Sequence, residues 1–229
     1  MDEKETRIDQ IKDYIEHLFG QEQEIHKEIR QNAKSEGLPL INVPPHVGKL
    51  LYILAKLKNP KRVLEIGTLS GYSTIWIAQA LAKEAQIFSI DNKVHHLEIA
   101  KQNFLKAGLQ DKITLYHGDA LKILDEMYKS NFEKFDMIFI DADKENYLNY
   151  LNKIKFLAND GALILSDNLI PKWKAIGQPH PKDEMAKSIY AFNEELVKDE
   201  NLESAIISTL VGEIPRIDGL GITIFNSCN

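Results

Sequence analysis

Apolar positions along this chain follow two different periods after residue 60. Short, nearly continuous apolar runs alternate with longer segments in which apolar residues recur every three or four positions. The runs predict strands at 62–66, 86–90, 113–117, 135–140 and 162–166. The longer segments predict helices at 73–82, 93–107, 120–128 and 145–157. Regular alternation of this kind predicts a mainly parallel sheet with helices on both faces.

The N-terminal part of the chain has a different pattern. Charged residues are dense before residue 36, and Ile8, Ile11, Ile15 and Leu18 recur among them at helical spacing. This pattern predicts one or two amphipathic helices that cover a core, close over a site or face a partner subunit. Prolines near residue 44 separate them from a further predicted helix at 47–58.

Composition limits the class of protein. The 229 residues fit one α/β domain, with 1–45 as its helical cover or dimer segment and 46–229 as its core. A net charge of −6 provides no basic surface for nucleic acid, and no apolar run reaches the ~18 residues that cross a membrane. The N-terminus is charged, unlike a signal peptide, and a single cysteine, Cys228, excludes disulfides within the chain. We expect a cytoplasmic protein.

A turn with two glycines follows the first predicted strand. Gly67 and Gly71 come directly after Glu65, and a helical pattern begins at once. Backbone N–H groups at such a turn approach a ligand closely. A dinucleotide fingerprint would place glycines where Leu69 and Tyr72 stand, and a carboxylate at the turn would repel phosphate. A ligand with an ammonium, a sulfonium or hydroxyl groups fits better, and S-adenosylmethionine is the candidate.

Every predicted strand ends at an acidic residue or a glycine. In open parallel sheets, ligands bind beyond the carboxyl ends of the strands, so these residues are expected to share one crevice. Asp91, after the second strand, is placed to accept hydrogen bonds from the two hydroxyls of a ribose. The alternative is that Asp91 caps the helix that follows.

A second set of polar residues follows the fourth and fifth predicted strands. If these strands are neighbours, Asp141, Asp167 and Asn168 converge within reach of one ion. Two carboxylates and an amide suit Mg²⁺, Ca²⁺ or Mn²⁺, and the alternative is a plain turn at 167–168. Lys144 is interpreted as a general base whose pKa is lowered by burial, or else as a surface lysine.

Together these motifs resemble those of one known family. The chain reads Glu65-x-Gly67-x-x-x-Gly71-Tyr72-Ser73, then Asp91, Asp141-Ala142-Asp143-Lys144 and Asp167-Asn168. These motifs are similar to those of the cation-dependent class I O-methyltransferases, which include caffeoyl-coenzyme A and catechol O-methyltransferases. The resemblance implies a Rossmann-like α/β fold with a seven-stranded, mostly parallel sheet whose last strand is antiparallel. It also implies a homodimer.

The resemblance assigns roles to individual residues. Asp141, Asp167 and Asn168 would hold a divalent cation, Mg²⁺ before Ca²⁺ or Mn²⁺. Lys144 and Asp141 would be catalytic residues, with Lys144 as the base. The contacts with S-adenosylmethionine would come from Ile41, Val43, Glu65, Gly67, Ser73, Asp91, Ala120 and Asp141. The implied reaction is methylation of one hydroxyl of a vicinal aromatic diol, a small molecule of the catechol or caffeoyl type.

The loop at 169–181 departs from the family's pattern. It is basic and rich in proline, and Trp173 is displaced from its usual place. Lys172, Lys174 and Arg216 are interpreted either as surface charges or as contacts for an anionic acceptor such as a coenzyme A thioester. Two other functions stay open, a metal-independent class I methyltransferase and a catalytically silent S-adenosylmethionine-binding protein. The seven histidines show no ligand spacing and are interpreted as surface or packing residues.

Overall fold

Helices and strands alternate in the structure as the sequence pattern predicts. The computed structural model describes residues 3–170, 179–180, 182–212 and 216–227, with side chains from Arg7 onward. Within these residues the α-helices are α1 (Glu3–Phe19), α2 (Glu24–Ser35), α3 (Pro45–Lys58), α4 (Tyr72–Ala80), α5 (Val94–Lys106), α6 (Ala120–Lys129), α7 (Tyr147–Leu157) and α8 (Glu184–Lys198). The strands are β1 (Arg62–Ile66), β2 (Gln86–Asp91), β3 (Ile113–His117), β4 (Phe135–Ile140), β5 (Ala158–Ser166), β6 (Leu202–Val211) and β7 (Arg216–Phe225).

The strands form one seven-stranded sheet in the order β3-β2-β1-β4-β5-β7-β6. The neighbours from β3 to β5 pair in parallel, whereas β7 runs antiparallel to both β5 and β6. The predicted fold class, including the antiparallel last strand, is therefore confirmed. All five strands expected from the sequence are present, although β5 begins at Ala158 and not at residue 162.

Both faces of the sheet are covered by helices. Val63 and Met137 pack on the face covered by α2, α3, α4 and α5, while Leu64 and Ile138 pack on the face covered by α6, α7 and α8. Strands buried on both faces read as continuous apolar runs, which explains their sequence pattern. Each fully buried aliphatic side chain of this kind stabilises the fold by about 1.5–3 kcal/mol. A polar side chain on such a strand needs partners inside the protein.

The helix boundaries differ from the prediction by up to two residues, as at the end of α4 and the start of α7. The helix predicted at 73–82 ends at Ala80, because Leu81 adopts an extended backbone with ψ of 148°. The helix predicted at 145–157 begins as a 3₁₀ turn, Lys144–Asn146, before α7. Lys144 therefore lies in a tight turn that follows Asp141 closely.

The N-terminal segment forms the two helices α1 and α2. Helix α2 packs on the domain through buried His26, Ile29 and Ala33, and the His26 ring stacks on Trp76 with 3.8 Å between ring centroids. This agrees with the interpretation of His26 as a packing residue. Helix α1 leaves four large apolar side chains between 43% and 64% exposed, namely Ile11, Tyr14, Leu18 and Phe19. The predicted dimer face or lid therefore stays a prediction.

None of the described helices is long and apolar enough to cross a membrane.

Some residues named in the sequence analysis are not described by the structure. In the loop at 169–181, the residues Lys172, Trp173 and Lys174 lie outside the described part of the chain, as does Cys228.

Candidate active site

The ends of β1, β4 and β5 lie side by side at the carboxyl edge of the sheet. The backbone N–H of Asp141 donates to Ile66 O at 2.9 Å, and that of Asp167 donates to Ile140 O at 3.0 Å. The condition set from the sequence, that the fourth and fifth strands be neighbours, is met. These hydrogen bonds continue the parallel pairing past the strand ends and place Gly67, Asp141 and Asp167 in one row.

Gly67 is required in this row. Its φ is +105°, and a Cβ built on it would lie 2.2 Å from the carbonyl oxygen of Asp141. No side chain fits between the two turns at that distance. The glycine therefore allows the end of β1 to approach the turn that follows β4.

A cavity of about 510 Å³ opens over this edge of the sheet. Most residues predicted to form the site line it, namely Ile41, Val43, Gly67, Ser73, Asp91, Ala120, Asp141, Lys144 and Asn168. Glu65 and Asp167 are the exceptions, because both side chains are buried beneath its wall, 0% and 3% exposed. Residues that the sequence did not single out also line the cavity, including Asn42, His96, Tyr150, Met185 and Ile189.

Glu65 organises the floor of the cavity. Its carboxylate accepts hydrogen bonds from Ser73 Oγ at 2.7 Å, Thr74 Oγ1 at 2.5 Å and Ser89 Oγ at 2.6 Å. Burial raises the pKa of Glu65 to about 7, and the three hydroxyl donors oppose that shift. In this structure the carboxylate is connected to the cavity lining through Ser73 and, by way of Ser89, through Thr68. The direct contact with the cofactor implied by the family resemblance stays a prediction.

Asp91 ends β2 with its carboxylate held from several sides. Its Oδ2 accepts from Leu69 N–H at 2.9 Å, and its Oδ1 accepts from Lys93 N–H at 2.9 Å. The N-cap of α5 is Lys93, so the alternative role of Asp91 as the cap of that helix is not what the structure shows. The carboxylate instead faces the cavity between the turn after β1 and the start of α5.

His96 was missed as a site residue. It is only 9% exposed, lines the cavity, and places Nδ1 3.2 Å from Asp91 Oδ2. The surface or packing interpretation is therefore incomplete for this histidine. The sequence contained a signal for this role. His96 lies in the first turn of the helix that follows Asp91, and from there an imidazole ring can reach back to the carboxylate.

Lys144 is fixed by two close partners. Its Nζ donates to Asp141 Oδ1 at 2.8 Å and to Tyr147 Oη at 2.8 Å, and it lines the cavity. Burial acts to lower the pKa of the ammonium, but Asp141 and Tyr147 raise it, and the net shift is upward. This corrects the lowered pKa expected from the sequence, and it also excludes the alternative of a freely solvated surface lysine.

Asp167 presents a buried carboxylate oxygen that has no partner. Its Oδ1 is inaccessible and accepts no hydrogen bond. Burial, together with the negative charge of Asp141, raises the pKa of Asp167 to about 8. Both observations indicate that this carboxylate is not fully compensated by its surroundings, although the positive charge of Lys144 acts to lower its pKa.

The donor set around Asp167 fits a hard divalent cation. Asn168 follows the end of β5 in a left-handed conformation with φ of 60°, so the 167–168 pair leaves the strand as the shared-ion hypothesis requires. Its Nδ2 donates to Asp218 Oδ2 at 2.9 Å, which fixes the orientation of the amide. Within the described ranges no cluster of three or more His, Cys, Asp or Glu residues is arranged to hold a metal. A cation here would rely on two carboxylates and one amide, all oxygen donors.

Asp218 is a second residue that sequence reasoning did not assign. It is fully buried on β7 and accepts hydrogen bonds from Asn168 Nδ2, Ile170 N–H and Gly219 N–H. Arg216 Nη2 lies 2.7 Å from its Oδ2. Strand β7 thus carries an ion pair to the same edge of the sheet as Asp141 and Asp167.

Comparison with known proteins gives consistent matches along the chain. A family described as O-methyltransferase matches residues 16–214. A catechol O-methyltransferase of Niastella koreensis is 33% identical over 217 residues, which cover 95% of this chain and 97% of that protein. A caffeoyl-CoA O-methyltransferase of Medicago sativa is 34% identical over 164 residues, covering 71% and 66%. The crystal structure of an O-methyltransferase from Bacillus cereus in complex with SAH superposes with a TM-score of 0.89 at 29% identity, covering 96% of this chain and all of that one.

Proposed function

This chain belongs to the O-methyltransferase family and is a S-adenosylmethionine-dependent enzyme, and we propose that it methylates one hydroxyl of a vicinal aromatic diol with the help of a divalent cation. The names of the relatives, catechol and caffeoyl-CoA O-methyltransferase, support an acceptor of this class. Mg²⁺ is the proposed ion, because the available donors are carboxylate and amide oxygens.

One observation carries the proposed metal dependence. Asp167 Oδ1 is a buried carboxylate oxygen without a hydrogen-bond donor, beside the second carboxylate of Asp141. The raised pKa of Asp167 shows that ionisation of this buried carboxyl is unfavourable, so a cation bound between these residues and Asn168 would stabilise the ionised form. When bound, a divalent cation supplies Lewis acidity that makes a neighbouring aromatic hydroxyl easier to ionise.

The cofactor is proposed to bind along the other half of the cavity. Asp91 would accept hydrogen bonds from the ribose hydroxyls, since its carboxylate lines the cavity at the end of β2. Gly67 and Ser73 would contact the amino-acid part of the cofactor, with Asp141 near its ammonium. Ile41 and Val43, which line the cavity from the segment before α3, would cover it. S-adenosylmethionine then supplies the sulfonium methyl group that is transferred.

Lys144 is proposed to receive the proton of the acceptor hydroxyl in the fraction of the enzyme in which its amine is neutral, a fraction that its raised pKa keeps small. Its Nζ is held at the cavity wall by Asp141 and Tyr147, so its position is defined before any ligand binds. While it carries its own proton, the ammonium stabilises negative charge that develops on the acceptor oxygen. Ile170, Met185 and Ile189 also line the cavity and would exclude water from the acceptor ring.

Methyl transfer from labelled S-adenosylmethionine to catechol and to a caffeoyl ester tests this function, with Mg²⁺ and with EDTA. We expect turnover that depends on Mg²⁺ and falls at least about 100-fold in Asp167→Ala, because one charged ligand is lost. Binding of S-adenosylhomocysteine should stay within about twofold in that variant. Asp111→Ala, an exposed aspartate beside the opposite end of β3, is the matched control.

Two outcomes would reject the scheme. Turnover that persists in EDTA would favour the metal-independent methyltransferase and leave Asp167 and Asn168 with a structural role. Tight binding of S-adenosylhomocysteine without methylation of any diol would favour the silent binding protein.

We also propose a homodimer. Four exposed apolar side chains on α1 support it, because large exposed apolar groups on one helix are typical of a surface that meets a partner. Light scattering of Phe19→Glu against the unmodified chain tests this proposal, and an unchanged mass would exclude α1 as the interface.

A further inference from the structure

Arg216 lines the cavity, and the proposed chemistry does not use it. It is the first residue of β7, and because β7 is antiparallel to β5, its first residue lies at the carboxyl edge of the parallel strands. Its side chain lines the cavity together with Ile170, Met185 and Ile189. Among the described residues, Arg216 is the one residue of β7 that lines the cavity, and its side chain is charged.

Only one of the two terminal nitrogens of the Arg216 guanidinium has a partner among the described residues. Its Nη2 pairs with Asp218 at 2.7 Å, whereas Nη1 has no hydrogen-bond partner in the part of the chain that the structure describes, although it is shielded from solvent. Arginine is always charged, and a buried donor without an acceptor is unfavourable. A ligand that brings an acceptor oxygen to this group would therefore be favoured.

Asp218 does not depend on Arg216 for its hydrogen bonds. Three other donors, Asn168 Nδ2, Ile170 N–H and Gly219 N–H, already hold its carboxylate. Asp218 thus fixes one edge of the guanidinium and leaves the rest of the group for another anion. Arginine binds a carboxylate through two parallel hydrogen bonds, which suits a fork held in this way.

We infer that Arg216 binds a carboxylate of the methyl acceptor, so that the substrate is an aromatic diol with an acid on the ring or on a short side chain. This inference rests on the proposed function and names its substrate class. The apolar residues beside Arg216 hold the ring, and the guanidinium holds the acid. The hydrogen bonds from Arg216 to the acid also fix the orientation of the aromatic ring, and this orientation determines which hydroxyl lies toward Lys144.

The anion is a carboxylate near the ring and not a phosphate of coenzyme A. Arg216 lines the cavity that Ile170, Met185 and Ile189 also line, and its partner Asp218 accepts a hydrogen bond from Ile170 N–H. The phosphates of a coenzyme A thioester are many bonds from its aromatic ring, and the thioester itself carries no charge. A carboxylate attached close to the ring reaches the guanidinium while the ring stays between the apolar side chains.

Matched pairs of acceptors test this inference with the whole enzyme. The pairs are 3,4-dihydroxybenzoate with its methyl ester and caffeate with its methyl ester, and caffeoyl-coenzyme A is the third arm. We expect kcat/KM of the unmodified enzyme to favour each acid over its ester by about 10-fold or more, the range of a charge-assisted hydrogen-bond pair. In Arg216→Gln, which keeps a donor for Asp218, the acids should lose about 10- to 100-fold and the esters less than threefold.

Two further variants keep the test specific. Arg216→Lys retains the charge without the fork and should fall between Arg216→Gln and the unmodified enzyme. Arg7→Gln removes one exposed arginine from α1 and should leave the ratio of acid to ester unchanged. Thermal unfolding and the affinity for S-adenosylhomocysteine, measured for each variant, separate loss of recognition from loss of fold.

Contrary results have separate meanings. Equal losses for acids and esters in Arg216→Gln, or no preference for the acids before mutation, would overturn the role of Arg216 while the proposed function stands. A larger loss for caffeoyl-coenzyme A than for caffeate would also overturn it and assign the residue to the coenzyme. No methylation of any diol would reject the proposed function and this inference with it.

Discussion

The Nζ of Lys144 lies 2.8 Å from the hydroxyl of Tyr147, which in turn is 2.9 Å from the backbone carbonyl of Asp167. One buried hydroxyl therefore connects the proposed base to the turn that carries a proposed metal ligand. Tyr147 is itself fully buried and packs against Phe192, so its position is determined by the core and not by the cavity. It is a positioning residue for Lys144.

Removal of that hydroxyl should affect turnover and not cofactor binding. We expect Tyr147→Phe to lower kcat by about 10-fold, because Lys144 loses one of its two fixed partners. The KM for S-adenosylmethionine should stay within about twofold, and the pH dependence of kcat should shift. Tyr128→Phe, an exposed tyrosine on α6, is the control. An unchanged kcat and pH profile in Tyr147→Phe would show that the hydroxyl only supports packing.

Protonation of Glu65 should make stability depend on pH. The pKa of Glu65 is raised from 4.5 to about 7 in the fold, so between these values the folded protein holds a proton that the unfolded chain has released. The free energy of unfolding therefore falls as pH rises through this window, by about 3 kcal/mol for a shift of this size. Glu65→Gln removes the titrating group, so the stability difference between the two proteins should change by that amount between pH 5 and pH 8. Urea unfolding measures it, and a difference that does not vary with pH would contradict the shift.

His96 should strengthen cofactor binding through Asp91. Its Nδ1 lies 3.2 Å from Asp91 Oδ2, so the ring helps to hold the carboxylate toward the ribose site. We expect His96→Phe to weaken the binding of S-adenosylhomocysteine by about 10-fold, the lower end of the contribution of one hydrogen bond to a charged group. Titration calorimetry measures this, with His95→Gln as the neighbouring exposed control. Additive losses in Asp91→Asn, His96→Phe and the double variant would show that the two residues act separately.

Alanine substitutions at Gly67 and Gly108 distinguish the cost of backbone strain from the cost of a steric clash. Both have positive φ, but a Cβ on Gly108 meets nothing within 4 Å, whereas one on Gly67 lies 2.2 Å from Asp141 O. We expect Gly108→Ala to lower the free energy of unfolding by about 1 kcal/mol through strain alone. Gly67→Ala should cost about 3 kcal/mol or more and also reduce cofactor affinity, because the turn after β4 must move. If chemical unfolding shows that the two variants lose similar free energies of unfolding, then the close contact with Asp141 O does not restrict the residue at position 67.

Local patterns were sufficient to predict most of the fold. The largely apolar runs at 62–66 and 135–140 became β1 and β4 with the same bounds, because most positions of a strand buried on both faces are apolar. The boundaries that differed lie where local preference is weak, as at the N-terminal end of β5. The nature of the site was also predictable in part, since the residues that follow parallel strands meet at one edge whatever the details of packing.

Contacts between residues far apart in sequence were decided by the tertiary structure alone. The antiparallel insertion of β7 brings Arg216 and Asp218 to the same edge as Asp141, and no local period encodes that placement. The burial of Glu65 against Ser73 and Ser89 likewise depends on the packing of α4 and β2 on β1. By itself the sequence determined the strands, helices and turn residues, because these follow from short-range periodicity and backbone preference. Which side chains meet, and therefore their pKa values and partners, was decided only when strand order and packing brought distant segments together.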